Sequence, residues 1–427
     1  MYETLCSSAA QVTGAGDRQK GHSVIQVLRI VLLIGLLTVA DSSFSQVKAA
    51  PDSRRQQALS FESQGKNAEA EQVWRAYLKD HASSAEAYAH LGLLESRQQH
   101  YKEAAPLYRK AMQLGPEVPG LRLNLGLALF KGGELKQAIQ EFGILLKAQP
   151  DNQQLNTLIG LAHYGLAEYK DAVPFLRVAA AHDTKNLILR LALAHSCLWT
   201  KQNQCVLDVY REILELDPNS AEADMVAGEA LDEMKDNEGS TKMFRAAVKA
   251  NPKEPNVHFG LGYLLWTQKQ YKEAATELQA ELANDPNHLQ AMLYLSDTYI
   301  QMNQLADAKP LLEKVVKANP SLGLAHLDLG IVYLESEKNQ DALRELALAE
   351  KLTPNDVNVH WRLGRLYRTL GRKDEAKAEF DQANVLNKQA DDDLYKKIAN
   401  GRTHHDPTQT APPTPPDATP PAPSDAK

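Results

Sequence analysis

His258, His326 and His360 are the residues whose type and spacing most suggest chemistry, since the second and third follow the first at 68 and 102 residues. Three imidazoles are a zinc-binding set only if their nitrogens can come within about 2 Å of one ion. Both separations are multiples of 34, which puts the three in equivalent places of a repeating unit, on the order of 10 Å apart if helices stack side by side. They therefore read as packing histidines. His404 and His405 adjoin in a proline-rich tail, where metal binding would be adventitious. No phosphate-cradling Gly-rich loop, no His-Glu-x-x-His and no Gly-x-Ser-x-Gly occurs. No catalytic, cofactor or metal site is expected, and the chain does not read as an enzyme.

Three cysteines exclude a disulfide framework and a multi-cysteine zinc site. Cys6 stands alone. Cys197 and Cys205 fall on what the pattern makes the two facing helices of one hairpin, so they either bridge in an oxidising compartment or remain thiols. A net charge of -7 carries no nucleic-acid footprint.

The elements that hold these residues repeat. From Pro51 the chain divides without a gap into ten blocks of 34 (51-84, 85-118, 119-152, 153-186, 187-220, 221-254, 255-288, 289-322, 323-356 and 357-390). Block position 8 is Gly in seven of them, position 20 is Ala in eight and position 32 is Pro in seven. Positions 4, 7, 8 and 11 lie on one stripe of a first helix, and positions 20, 24 and 27 on one stripe of a second. The small residues at 8 and 20 let the two helices approach, and a large residue at 24 (Trp74, Tyr108, Phe142, Phe244) fills the space beside them. Proline at 32 cannot continue the second helix and stops it. Pro106, Pro174 and Pro310, all at position 22, predict that this helix starts near position 18, so that each proline falls in its first turn.

This pattern resembles the tetratricopeptide repeat family, with Leu-Gly at positions 7 and 8, Ala at 20, an aromatic at 24 and Pro at 32. The resemblance implies an all-α fold, a right-handed superhelical α-solenoid of tandem helix-turn-helix repeats. The family's tryptophan at position 4 is replaced here, by His258, His326 and His360 among others.

The ends differ from the array. Ile30 to Ala40 is an uncharged apolar run of eleven behind Arg18, Lys20 and Arg29. A span needs roughly 20 residues, so segment 1-46 reads as a secretory signal peptide, or as a signal anchor if the apolar stretch extends back to Val24. Either places the array outside the cytoplasmic membrane, periplasmic or secreted, or anchored there. Residues 391-400 read as a separate capping helix, with Asp391 to Asp393 at its start and Gly401 as its stop; Leu394, Tyr395 and Ile398 would cover the last hairpin. Residues 401-427, rich in proline, read as an extended tail.

The resemblance also implies where function resides: the concave face of the first helices, at block positions 2, 5, 6, 9, 12 and 13. Leu123, Leu127, Phe130 and Tyr164 form one apolar stretch there, and Phe259, Tyr263 and Trp266 another. Glu222, Glu229, Asp232 and Glu233 lie between them as an acidic patch, while Arg362, Arg365 and Arg368 form a basic end. Such a groove suits an extended or helical polypeptide segment. The Lys and Asn pair with which some members of the family grip a terminal carboxylate is missing from every block. The expectation is an exported scaffold for protein or peptide partners, with no nucleic acid and with membrane contact only through the leader. Its alternative is an accessory array that recruits substrate or subunits to an envelope polysaccharide or secretion machine.

Overall fold

A computed structural model describes residues 53–115 and 120–402, with side chains in the last helix as far as Asp393. The leader, Cys6, Pro116, His404, His405 and nearly all of the tail lie outside the described residues, as do the side chains of Leu394, Tyr395 and Ile398.

Among the described residues there are twenty helices and no strand. The first ten are α1 (Ser53–Ser63), α2 (Asn67–Asp80), α3 (Ala85–Arg97), α4 (Tyr101–Leu114), α5 (Leu121–Lys131), α6 (Leu135–Ala148), α7 (Gln153–Gly165), α8 (Tyr169–His182), α9 (Leu187–Trp199) and α10 (Asn203–Leu216). The rest are α11 (Ala221–Glu233), α12 (Asn237–Ala250), α13 (Val257–Thr267), α14 (Tyr271–Asn284), α15 (Leu289–Gln301), α16 (Leu305–Ala318), α17 (Gly323–Glu335), α18 (Asn339–Leu352), α19 (Val357–Thr369) and α20 (Lys373–Arg402). They form two compact units divided after Met302. The first holds seven hairpins and α15; the second holds α16 and two hairpins.

Glycine at position 8 has a sharper role than expected. It faces the residue at position 24, not position 20: a Cβ on Gly126 would stand 2.5 Å from Cε1 of Phe142, and one on Gly92 2.8 Å from Cε1 of Tyr108. Each ring occupies the space that a side chain on the glycine would need, and Phe142 and Tyr108 are fully buried. The alanines at position 20, such as Ala104, Ala138 and Ala274, are buried beside that contact. This packing is what makes each helix pair one cooperative piece.

Second helices start at position 17, earlier than the prolines suggested. Pro106, Pro174 and Pro310 are therefore the sixth residue of α4, α8 and α16, one residue further in than a start at position 18 would place them. Each withholds an amide from the carbonyl four residues back, and those carbonyls belong to Lys102, Lys170 and Ala306, exposed residues that water can reach. The stops behave as expected where they are described: α6, α10, α12, α14 and α18 each end two residues before a position-32 proline.

Two features of the turns were not anticipated. Position 15 takes a left-handed conformation in every block, but is Gly only at Gly65, Gly133 and Gly371; Gln99, Ala167, Lys201 and Glu337 are among those that adopt it without being Gly. The amide after it bonds back five residues, as His100 does to Glu95 at 2.8 Å, which closes the first helix with a Schellman-type end. First helices are in turn opened by the side chains of Ser84, Asn152, Asn186, Ser220 and His288, each accepting an amide three residues on.

The capping helix expected at 391-400 is not a separate element. α20 runs unbroken through Asp391, Asp392 and Asp393 to Arg402, and Gly401 does not stop it. From Lys373 to Asn400 there is neither Pro nor Gly, and position 32 of this block is Lys388, so the proline that follows most second helices is missing here. At the other end the polar opening helix is tied down: Arg55 makes a bidentate pair with Glu86, at 2.7 and 2.6 Å. None of the described helices is long and apolar enough to cross a membrane.

Candidate functional site

In the first unit the first helices touch one another, α7 to α9, α9 to α11, α11 to α13 and α13 to α15, so their residues at positions 2, 5, 6, 9, 12 and 13 form one surface. Position 12 of one block meets position 9 of the next. The hydroxyl of Tyr164 lies 2.9 Å from Nδ1 of His195, and Nε1 of Trp266 donates to Oδ2 of Asp297 at 2.5 Å.

That register separates the sequence-predicted residues. Phe130 and Tyr164 are each only 3% exposed and belong to the core between hairpins, so they are not groove contacts. Leu123 and Leu127 are half-buried and pack against the same core. Phe259, Tyr263 and Trp266 keep part of their surface open and gather around Tyr294 of α15. Tyr294 meets Tyr263 and Trp266 edge-on, with ring centroids 5.0 Å from each, and Phe259 at 6.0 Å. Tyr263 and Trp266 stack at 6.0 Å. Tyr294 and Asp297 were missed; they occupy positions 6 and 9 of their block, which the repeat itself marks as facing outward.

The acidic patch adjoins this cluster, on the neighbouring helix α11. Glu229 reaches solvent, yet it stands on the crowded side of the first helices, close to Glu233 and Asp232. That desolvation, with the like charge of those two neighbours, pushes its carboxyl up to about 7. Burial also raises Glu222 and Asp297, in the second case against the Trp266 hydrogen bond. Nε2 of His195 lies 3.4 Å from Glu222. Burial holds His195 down to about 4, so the neutral ring accepts from Tyr164 and presents its other N–H to Glu222.

The basic end, in the second unit, is largely spent within the fold. Arg362 and Arg365 both stand 3.6 Å from one oxygen of Glu335, and Arg368 lies over the Phe380 ring at 5.8 Å.

The histidines at position 4 are held as packing residues, each by a glutamate 19 residues on: His258 by Glu277 at 2.6 Å, His326 by Glu345 at 2.7 Å and His360 by Glu379 at 2.7 Å. In the second unit the other nitrogen faces a backbone carbonyl, Pro320 for His326 and Pro354 for His360. Glu350, His360 and Glu379 bring three donor atoms within 4.8 Å, but both ring nitrogens of His360 already face acceptors and leave no lone pair for a metal. Cys197 and Cys205 are joined by a disulfide, with Cα atoms 6.0 Å apart, which ties α9 to α10.

Two tetratricopeptide repeat profiles match the chain, one over residues 96–162 and 265–327, the other over 55–119, 227–288 and 327–391. The chain belongs to the tetratricopeptide repeat family. Between the matched stretches, α8 to α10 continue the same hairpins. Among curated proteins the chain is similar to anaphase-promoting complex subunit 3 of Schizosaccharomyces pombe, 22% identical over 49% of this chain and 31% of that protein. It is also similar to the TPR repeat-containing protein YpiA of Bacillus subtilis, 20% identical over 70% of this chain and 72% of that one. The chain spans about a third or less of the length of the first of these relatives. A solved structure of Pseudomonas aeruginosa pilF aligns with a TM-score of 0.42 at 20% identity, over 46% of this chain and 90% of that one.

Proposed function

We propose that this protein is an exported interaction scaffold that holds a polypeptide segment against the first helices of its larger unit. The partly exposed cluster of Phe259, Tyr263, Trp266 and Tyr294 carries the reading. Other large side chains, such as Trp199 and Trp361, are exposed on their own helices, but these four partly open rings are in contact with one another and together supply the rigid apolar contact area on which interface energy concentrates. The role of the protein is binding, through preformed contacts, and its family is one of interaction scaffolds. Export is supported by the apolar run Ile30 to Ala40 behind its basic flank and by the Cys197–Cys205 bridge, which persists in oxidising compartments.

The test is a crosslinking recovery of partners by the full chain and by Trp266→Ala. Loss of the partner from the variant is expected; undiminished recovery would count against the aromatic face. Arg365→Ala serves as a comparison outside that face, and its recovery is expected to match the parent. Export is checked separately by fractionation and N-terminal sequencing, and recovery of the chain in the cytosol would overturn it.

A further inference from the structure

The first helices α9, α11, α13 and α15 carry six carboxylates, at Glu222, Asp224, Glu229, Asp232, Glu233 and Asp297, and one Lys or Arg, at Arg190. Arg190 is turned away: it is 4% exposed and donates to Glu212 and to the carbonyls of Asp183 and Ala180. Asp224 is likewise used inside, accepting from the Tyr210 hydroxyl at 2.7 Å. Trp266 holds Asp297. Lys201 and Lys269 stand on turns at position 15, as does Lys235, three residues after Asp232, and Asp232 and Lys235 each have a partner. An open aromatic cluster is thus bordered by carboxylates with no basic side chain of the same helices among them.

We propose that the occupant of this face is a cationic polypeptide segment, one that places Lys or Arg against Glu229 and Glu233 while its apolar side chains cover Phe259, Tyr263, Trp266 and Tyr294. This rests on the reading of the aromatic face as the binding surface and names its ligand. The chemistry fits at both ends. A basic side chain offsets the like charge gathered at Glu229, and its alkyl stem or guanidinium plane can lie on the adjoining rings. An acidic segment would add charge to a patch that already resists ionising. The chain's own tail is excluded as occupant on the same ground, since residues 403–427 contain three Asp and one Lys.

The test uses the full chain and three labelled synthetic peptides that share their Leu and Trp residues and carry Lys, Gln or Glu at the remaining positions, with binding read by fluorescence anisotropy. The Lys peptide is expected to bind about tenfold or more tightly than the Gln peptide, to weaken as salt rises, and to lose its advantage in the double variant Glu229→Gln, Glu233→Gln. If that variant does not fold, Glu229→Gln alone is compared with the parent across the salt series, and a shallower salt dependence is expected. Equal binding of all three peptides, with all three weakened by Trp266→Ala, would overturn the charge preference and leave the aromatic face standing. Binding of none, together with unchanged partner recovery by Trp266→Ala, would overturn both.

Discussion

The indole nitrogen of Trp266 donates to the Asp297 carboxylate across the joint between α13 and α15. The bond fixes the exposed edge of the aromatic cluster, because Trp266 is also the ring on which Tyr263 stacks. Asp297→Ala leaves the indole N–H to water and is expected to cost about 1 kcal/mol at the joint. Hydrogen exchange of the α13 and α15 amides checks it. Faster exchange confined to those helices is expected, and an unchanged pattern would show that the bond does not hold the joint.

Two glycines of one hairpin should respond in opposite directions. Gly126→Ala drives a methyl group into the buried ring of Phe142 and is expected to destabilise by about 1–3 kcal/mol. Gly143→Ala, on the second helix of the same hairpin, meets no atom within 4 Å and is expected to stabilise by about 1 kcal/mol. Urea denaturation followed by circular dichroism distinguishes them; a loss of similar size in both would refute the contact at position 8.

The turn conformation makes its own prediction. Ala167 sits at a φ of 57°, where a Cβ costs about 1–2 kcal/mol that glycine avoids. Part of that gain is returned through the greater freedom of glycine in the unfolded chain. A net increase in stability is expected for Ala167→Gly, and a lowered midpoint would speak against the left-handed turn.

Glu229 and His360 should titrate against stability in the same sense, each contribution falling as pH rises, over different windows. The folded carboxyl of Glu229, at about 7, lies above its ordinary 4.5, so folding favours its protonated form. Stability is fullest below pH 4.5 and declines as pH rises towards 7. The advantage of Glu229→Gln over the parent should therefore grow from pH 4.5 to pH 8. For His360, burial opposes the charged ring, but the Pro354 carbonyl, Glu379 and Glu350 outweigh it and raise the value above 6.5. Its contribution is present below pH 6.5 and is lost as pH rises through the folded value, so His360→Gln should cost more at pH 6 than at pH 9. Denaturation midpoints at paired pH values test both, and pH-independent differences would contradict the assignments.

Reduction of the Cys197–Cys205 bridge opens a short loop between α9 and α10. By chain entropy this costs about 2–3 kcal/mol. Intact-mass measurement with and without reductant establishes whether the bond is present, and comparison of melting temperatures gives its contribution. Identical melting in both states would show that the hairpin is held by packing alone.

The sequence by itself determined the hairpins. Gly126 and Phe142 are sixteen residues apart in one block, and the contact between them follows from helix period and turn length, which are local. The same holds for the six carboxylates on α11 and α15, and for the histidines at position 4, whose shared phase marked them as packing residues. What the repeat could not supply is which outward position stays open. Tyr164 and Trp266 occupy the same position 12, yet Tyr164 is buried against His195, whereas Trp266 reaches Asp297 with its indole nitrogen and keeps part of its ring exposed. The difference lies in the next hairpin, whose side chains decide how closely the two helices close over the ring. Arg362 and Arg365 show the same dependence: their charge was legible, but Glu335, from the hairpin before, is what they meet. Exposure and pairing at a joint depend on two sets of residues distant in sequence, so only the tertiary structure settles them.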